Sequence, residues 1–160
     1  MDLILIRHGK AEDTNPGGDR ARELVAKGRQ QAHRAAKLLK HADILPEIVL
    51  TSPLVRARQT ADEFCETAGI PSPVIQNWLA CGMHPESAMK ELAGFLDFKR
   101  LAIVGHEPDF SNFIEWILGV SGGAVMIKKG AIACLRVNPP ARHGILKYLI
   151  PPKLSDEWGD

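Results

Sequence analysis

Cysteine is scarce in this sequence: Cys65, Cys81 and Cys134 are odd in number and far apart, with no CxxC pair. That is a poor disulfide framework and a poor zinc site, and it favours a reducing compartment. An excess of either charge is also missing. Lys and Arg number 20 against 19 Asp and Glu, a formal net charge of +1, which argues against bulk electrostatic binding to nucleic acid or to an anionic membrane. A local basic pocket remains compatible with that sum. No apolar run approaches the ~18 residues of a membrane span, and no basic region precedes a cleavable apolar stretch at the N-terminus. Repeats, low-complexity tracts and linkers are absent too. The expectation is a cytoplasmic protein with no nucleic-acid or membrane partner. At 160 residues and 45% apolar content, it reads as a single domain over 1–160 with enough apolar residues for a core.

What is present starts with MDLILIRHGK. Residues 2–7 are rich in Leu and Ile without polar alternation, which is how a strand buried on both faces of a parallel sheet reads. Residues 10–19 carry Asp, Asn, Pro and two adjacent glycines and are expected to form a loop. The spacing of Leu24, Ala32, Ala35, Ala36, Leu38 and Leu39 predicts a helix over about 20–41, with Gly28 as a point where it can divide. A second strand is expected at 47–51. Ser52 as N-cap and Pro53 at the first helical position then open a helix to Ala68, closed by Gly69. A short strand at 73–76, a loop at 77–84, a helix at 85–97, a buried strand at 101–105 and a helix over about 110–118 follow. After a loop at 119–130, strands at 131–137 and 144–150 close the pattern, and the tail from about 151 reads as polar and irregular. Alternating strands and helices predict an α/β fold: a three-layer α/β/α sandwich around a mostly parallel sheet of about five or six strands.

In such sheets ligands bind beyond the carboxyl ends of the strands. The first strand ends in Arg7-His8-Gly9, the second in Thr51-Ser52-Pro53 with Arg56 one helical turn inside, and the LAIVG strand in His106-Glu107-Pro108. As parallel neighbours these strands would gather two histidines and two arginines at one edge, beside helix N-termini whose N–H groups attract anions. Guanidiniums, imidazoles and helix-start amides describe a pocket for a dianionic phosphoryl group. Gly9 is expected to let the ligand approach the backbone. No carboxylate cluster suits a two-metal phosphatase, so Arg and protonated His would neutralise charge without metal. His8 is the candidate nucleophile, because neutral imidazole can attack phosphorus in line and give a phosphohistidine that water hydrolyses. It must then hold its other ring proton on a backbone carbonyl. His106 is the expected electrostatic partner, protonated so as to bond a phosphoryl oxygen.

LILIRHGKAE, TSPLVRARQTA and AIVGHEP together resemble the histidine phosphatase superfamily, with its phosphoglycerate-mutase-like fold. The resemblance lies in R-H-G, S-P-x-x-R-x-x-Q-T and G-H occurring in that order, each at a strand end. Short length, the lack of long inserts and ARELVAKGRQQA are similar to the SixA-type phosphohistidine phosphatases of that superfamily. The resemblance runs from residue 2 to about 118. It implies that His8 is the phosphorylated nucleophile, that Arg7 and Arg56 bind phosphoryl oxygens, and that His106 is the second histidine. It also implies that Arg22 approaches the pocket from the loop–helix junction, although Glu23 stands where the R-P-L form has proline. No cofactor or metal is implied, and the partner is a phosphorylated protein, carrying phosphohistidine, or a small phosphorylated substrate.

Mutase-like and acid-phosphatase members carry a carboxylic acid that protonates the leaving oxygen, and NWLACGMHPES has none at an obvious equivalent position. Glu107, directly after His106, is the candidate proton donor, with Glu86, Glu12 and Asp13 in neighbouring segments. An alkoxide leaves badly without a proton, whereas the imidazole of a phosphohistidine can be protonated before it departs. With few inserts to build a lid, the pocket should be shallow and suit a phosphoryl group presented on another protein. The expected function is therefore metal-independent hydrolysis through a phosphohistidine on His8, with protein phosphohistidine as substrate and a role in signal transduction. The alternatives are a small-molecule phosphomonoesterase or mutase of the same superfamily and a non-catalytic phosphate-binding signalling module. His33, His41, His84 and His143 have no partner pattern and read as surface or structural. Thr51 and Ser52 read as caps, Trp78 and Met83 as core.

Overall fold

A computed structural model describes residues 1–155. The chain runs β1 (Asp2–Arg7), α1 (Ala26–His41), β2 (Ile48–Thr51), α2 (Val55–Ala68), β3 (Val74–Ile75), α3 (Pro85–Leu92), β4 (Arg100–Gly105), α4 (Asp109–Leu118), β5 (Ile132–Val137), β6 (Gly144–Ile150) and a single turn, α5 (Pro152–Ser155). The strands form one six-stranded sheet in the order β3-β2-β4-β1-β5-β6. The first four are mutually parallel; β5 runs antiparallel to β1, and β6 to β5.

The unbroken apolar runs of β1 and β4 follow from burial on both faces. Leu3, Leu5, Leu101 and Ile103 meet Met89 and Leu92 of α3 and Phe110 and Phe113 of α4 on one side. Ile4, Ile6, Ala102 and Val104 meet Ala35 and Leu39 of α1 and Ala57, Ala61 and Phe64 of α2 on the other. Period-two alternation along each strand thus feeds two cores, and the result is a three-layer α/β/α sandwich. Trp78 and Met83 belong to the first of these cores. Among the described residues no helix is long and apolar enough to cross a membrane.

Several boundaries differ from the sequence reading. Helix α1 begins at Ala26, because Asp19–Ala21 form a separate 3-10 turn and Leu24 is drawn into a bridge with Ala11. Gly28 does not divide α1. It lies inside the helix with its backbone against that of Lys10, and a Cβ on Gly9 would come within 2.5 Å of the Gly28 carbonyl oxygen. Gly9 is therefore required for the strand-end loop to pack on α1, not for a ligand to approach. Helix α2 begins at Val55 behind Leu54, so Ser52 is not its N-cap, and Gly69 closes it in the left-handed conformation. Helix α3 ends at Leu92 and tightens into a 3-10 turn over Ala93–Phe95. The tail expected to be irregular opens with α5 instead; its residues 156–160 lie outside the described residues.

Candidate active site

β4 lies between β1 and β2, with Arg7 opposite Gly105 and Thr51 opposite Val104. The ladder continues one residue past each strand: His8 N–H donates to Gly105 O at 3.0 Å and Ser52 N–H to Val104 O at 3.0 Å. These bonds hold the strand ends in register and bring His8 and His106 together, with ring centroids 5.3 Å apart. Arg56, in the first turn of α2, points its Nε at His8 Nε2 from 3.3 Å. His8 (5% exposed), Arg56 (5%) and His106 (2%) are all buried.

His8 Nδ1 lies 2.8 Å from Gly9 O. A carbonyl can only accept, so Nδ1 carries the proton and Nε2 the lone pair. Burial, with smaller contributions from His106, Arg56 and Arg7, pulls the His8 pKa down to about 3 against the bond to Gly9. The imidazole is neutral at physiological pH. Gly9 N–H in turn donates to Thr60 Oγ1 at 3.0 Å, and Thr60 donates to the Arg56 carbonyl at 2.7 Å. The peptide that orients His8 is thereby tied to the turn that presents Arg56.

His106 Nε2 lies 2.7 Å from Ser52 Oγ. That oxygen also accepts Leu54 N–H at 3.2 Å; when the hydroxyl donates its own proton to His106 Nε2, the ring proton lies on Nδ1. His106 Nδ1 and Arg7 Nε are buried side-chain nitrogens without a partner among the described residues. Unmet buried donors cost about 1–3 kcal/mol each, and a ligand's oxygens would meet them. Arg7 is held otherwise by donating from Nη1 to Ile127 O at 2.7 Å. Burial foremost, then Arg56, lowers the His106 pKa to about 4, with Asp19 opposing and Arg7 adding a little. Burial, then the guanidiniums of Arg56 and Arg7, thus work against the protonated His106 expected from the sequence.

Arg22 donates to Glu12 O at 2.6 Å and to Asp19 Oδ1 at 2.9 Å. Asp19 also receives Arg56 twice, Nη1 on its carbonyl at 2.8 Å and Nη2 on Oδ2 at 3.2 Å. Arg22 is therefore joined to Arg56 through Asp19. Glu107 has both carboxylate oxygens engaged by Ser111, from N–H at 2.9 Å and from Oγ–H at 2.7 Å, and so caps the start of α4. Glu86 pairs with Lys90 at 2.9 Å on the exposed side of α3. Burial raises the pKa of Asp109, whose Oδ2 accepts Gly82 N–H at 2.9 Å. Sequence reasoning passed over Asp19, Thr60 and the hold of Ser52 on His106. One available signal was the i, i+3 spacing of Asp19 and Arg22, which pairs opposite charges. Among the described residues no group of three or more His, Cys, Asp or Glu could hold a metal ion.

The arrangement presents a neutral imidazole whose Nε2 lone pair accepts from Arg56 Nε–H at 3.3 Å, with two buried nitrogens close by that have no partner among the described residues, Arg7 Nε and His106 Nδ1. A profile of the histidine phosphatase superfamily (branch 1) matches residues 3–79, a span that holds Arg7, His8, Arg22 and Arg56. A protein of Picosynechococcus sp., itself uncharacterized, is 33% identical over 144 residues, covering 85% of each chain. Phosphoglycerate mutase 1 of Saccharomyces cerevisiae is 40% identical over 80 residues, 48% of this chain but 32% of the mutase. The structure of the protein histidine phosphatase SixA complexed with tungstate superposes with a TM-score of 0.85 at 22% identity, over 96% of this chain and 99% of that one.

Proposed function

The chain belongs to the histidine phosphatase superfamily, and on that premise we propose that it is a metal-independent phosphatase that passes its substrate's phosphoryl group through Nε2 of His8, with protein phosphohistidine as the substrate. The observation that carries this reading is the His8 tautomer: Nδ1–H on Gly9 O at 2.8 Å and a lone pair on Nε2. In the first step that lone pair, released as Arg56 Nε–H turns to a phosphoryl oxygen, forms a bond to phosphorus while the substrate's P–N bond breaks. The electron pair leaves on the substrate's imidazole, which solvent has already protonated. Arg7 Nε, Arg56 and His106 Nδ1–H receive the phosphoryl oxygens. The phosphorylated His8 keeps its Nδ1 proton, so its ring is cationic and departs readily. Water then attacks phosphorus, the P–N pair returns to Nε2, and phosphate leaves with the water's oxygen and one of its protons, the other passing to solvent.

The substrate follows from the leaving group. Glu107 and Glu86 are engaged elsewhere, and Asp19 is held below its ordinary pKa by Arg22 and Arg56. With those three carboxylates engaged and Asp109 held on Gly82 N–H, the site favours a phosphoramidate over an alkyl phosphate. The SixA superposition, covering nearly all of both chains, supports the same choice. In this reading the chain acts as one catalytic domain in cytoplasmic signalling. A small-molecule phosphomonoesterase is the second reading, favoured by the identity to yeast phosphoglycerate mutase 1.

The test is turnover with EDTA present, comparing a phosphohistidine-bearing protein with p-nitrophenyl phosphate and sugar phosphates while following acid-labile phosphate on the enzyme. Preference for phosphohistidine, with label lost in His8→Ala, is the expected result. Faster hydrolysis of esters would move the substrate to small molecules. Phosphate binding without any turnover would leave a binding module and overturn the proposal.

A further inference from the structure

We propose that Asp19 is a specificity determinant: it sets the charge at the mouth of the pocket so that the site takes phosphoryl groups from leaving groups that carry no second negative charge. The kinetic part of this inference rests on His8 as the phosphoryl acceptor; the binding part does not. The Asp19 side chain is 60% exposed, yet its Oδ2 sits 3.2 Å from Nη2 of a guanidinium that is 6% exposed. The Nε of that guanidinium is 3.3 Å from the reacting nitrogen of His8. One arginine fork therefore separates the carboxylate from the chemistry, with the carboxylate on the solvent side. Arg22, and then Arg56, keep Asp19 ionised by lowering its pKa, and its charge reaches His106.

Charge balance gives the selectivity. Three guanidiniums, those of Arg7, Arg22 and Arg56, face three carboxylates, Asp19, the Glu12 that lies by Arg22 and the Glu107 that acts on Arg7. No net positive charge remains while both histidines are neutral. A dianionic phosphoryl group already exceeds that balance. A substrate with a further carboxylate or phosphate next to the transferred group brings charge that nothing here neutralises, and it meets Asp19 across Arg56. Such repulsion discriminates without any added attractive contact. A departing imidazole, protonated before the bond breaks, leaves neutral and meets no repulsion from Asp19. For unit charges about 6 Å apart the penalty lies between about threefold in bulk water and about a hundredfold at the dielectric of a protein surface, so about tenfold is expected.

The test uses Asp19→Asn and, as a second neutral variant, Asp19→Ser, with Asp19→Glu restoring the charge. Calorimetry would give the affinities of inorganic phosphate and 2,3-bisphosphoglycerate, which needs no turnover. Assays would give KM and kcat for p-nitrophenyl phosphate and 3-phosphoglycerate. Both neutral variants should shift each preference about tenfold toward the ligand with the extra anion, through Kd and KM rather than kcat. The shift should shrink in high salt, and Asp19→Glu should behave as wild type. An unchanged ratio, or equal weakening of both ligands, would mean that Asp19 merely steadies Arg56 and would overturn the proposal. Absence of turnover with every substrate would sink the phosphatase reading, while the binding ratio would still decide the role of Asp19.

Discussion

Acidification from pH 7.5 to 5 should cost the fold about 4 kcal/mol through the two buried histidines alone. His8 is pulled from 6.5 to about 3 and His106 to about 4. Between those values and 6.5 the unfolded chain binds two protons that the folded chain refuses. The stabilisation from keeping both rings neutral is therefore complete well above pH 6.5 and is lost as pH falls through 6.5 toward the folded values. Each ring contributes about 1.4 kcal/mol per pH unit once the unfolded form is protonated, and the gradual onset near 6.5 brings that to about 2 kcal/mol each by pH 5. Asp2 and Glu63, whose pKa values are lowered by their ion pairs, lose their contribution below this window, and Asp109, raised by burial, acts in the opposite sense. Urea denaturation at pH 7.5, 6.5, 5.5 and 5, roughly spanning that window, would measure the slope for wild type, His8→Asn and His106→Asn. Each variant should lose about half of the slope, whatever its stability at any one pH. If wild type lost less than about 1 kcal/mol by pH 5, or if both variants kept the full slope, the rings would not be neutral in the folded chain.

Ser52→Ala removes the 2.7 Å partner of His106 and the acceptor of Leu54 N–H; denaturation should show a loss of about 1–3 kcal/mol, and kcat should fall about tenfold with little change in KM. Glu107→Gln should leave turnover within about threefold, because its carboxylate is engaged with Ser111; a loss near a hundredfold, with the acid limb of the pH profile displaced, would make Glu107 the proton donor after all. Gly28→Ala pushes a Cβ into the Lys10 backbone, an overpacking worth about 1–3 kcal/mol, and thermal melts should shift down by about 3–8 °C.

The sheet was legible where burial leaves a pattern in the chain. β1 and β4 lie between two helical layers, so neither face tolerates polar residues and the apolar run is unbroken. β6 sits at the sheet edge, where Ile145 and Leu149 remain exposed, and its apolar composition identified the strand without indicating that position. The starts of α1 and α2 were misread for a common reason: local rules lost to distant partners. Leu24 has helical spacing with the residues after it, but its N–H goes to Gln59 Oε1 at 2.7 Å and its backbone bridges Ala11. Ser52-Pro53 has the chemistry of a helix cap, yet the serine hydroxyl serves a histidine 54 residues away.

The position of the site was legible because the strand-end rule needs only strand order and residue type, and it brought His8, Arg56 and His106 to one edge. Protonation was not legible, because it belongs to neighbours rather than to residue type. Placing β4 between β1 and β2 sets His106 within the field of Arg7 and Arg56, and burial removes the water that would otherwise solvate its proton. The expectation of an imidazolium considered the phosphoryl group and left out the arginines beside His106. Both belong in one cycle. Burial and the two guanidiniums hold the His106 pKa down, and the charge of a dianionic phosphoryl group would act in the opposite direction. On that account phosphate binding should raise the His106 pKa, which a titration of its ring signal with and without phosphate would measure.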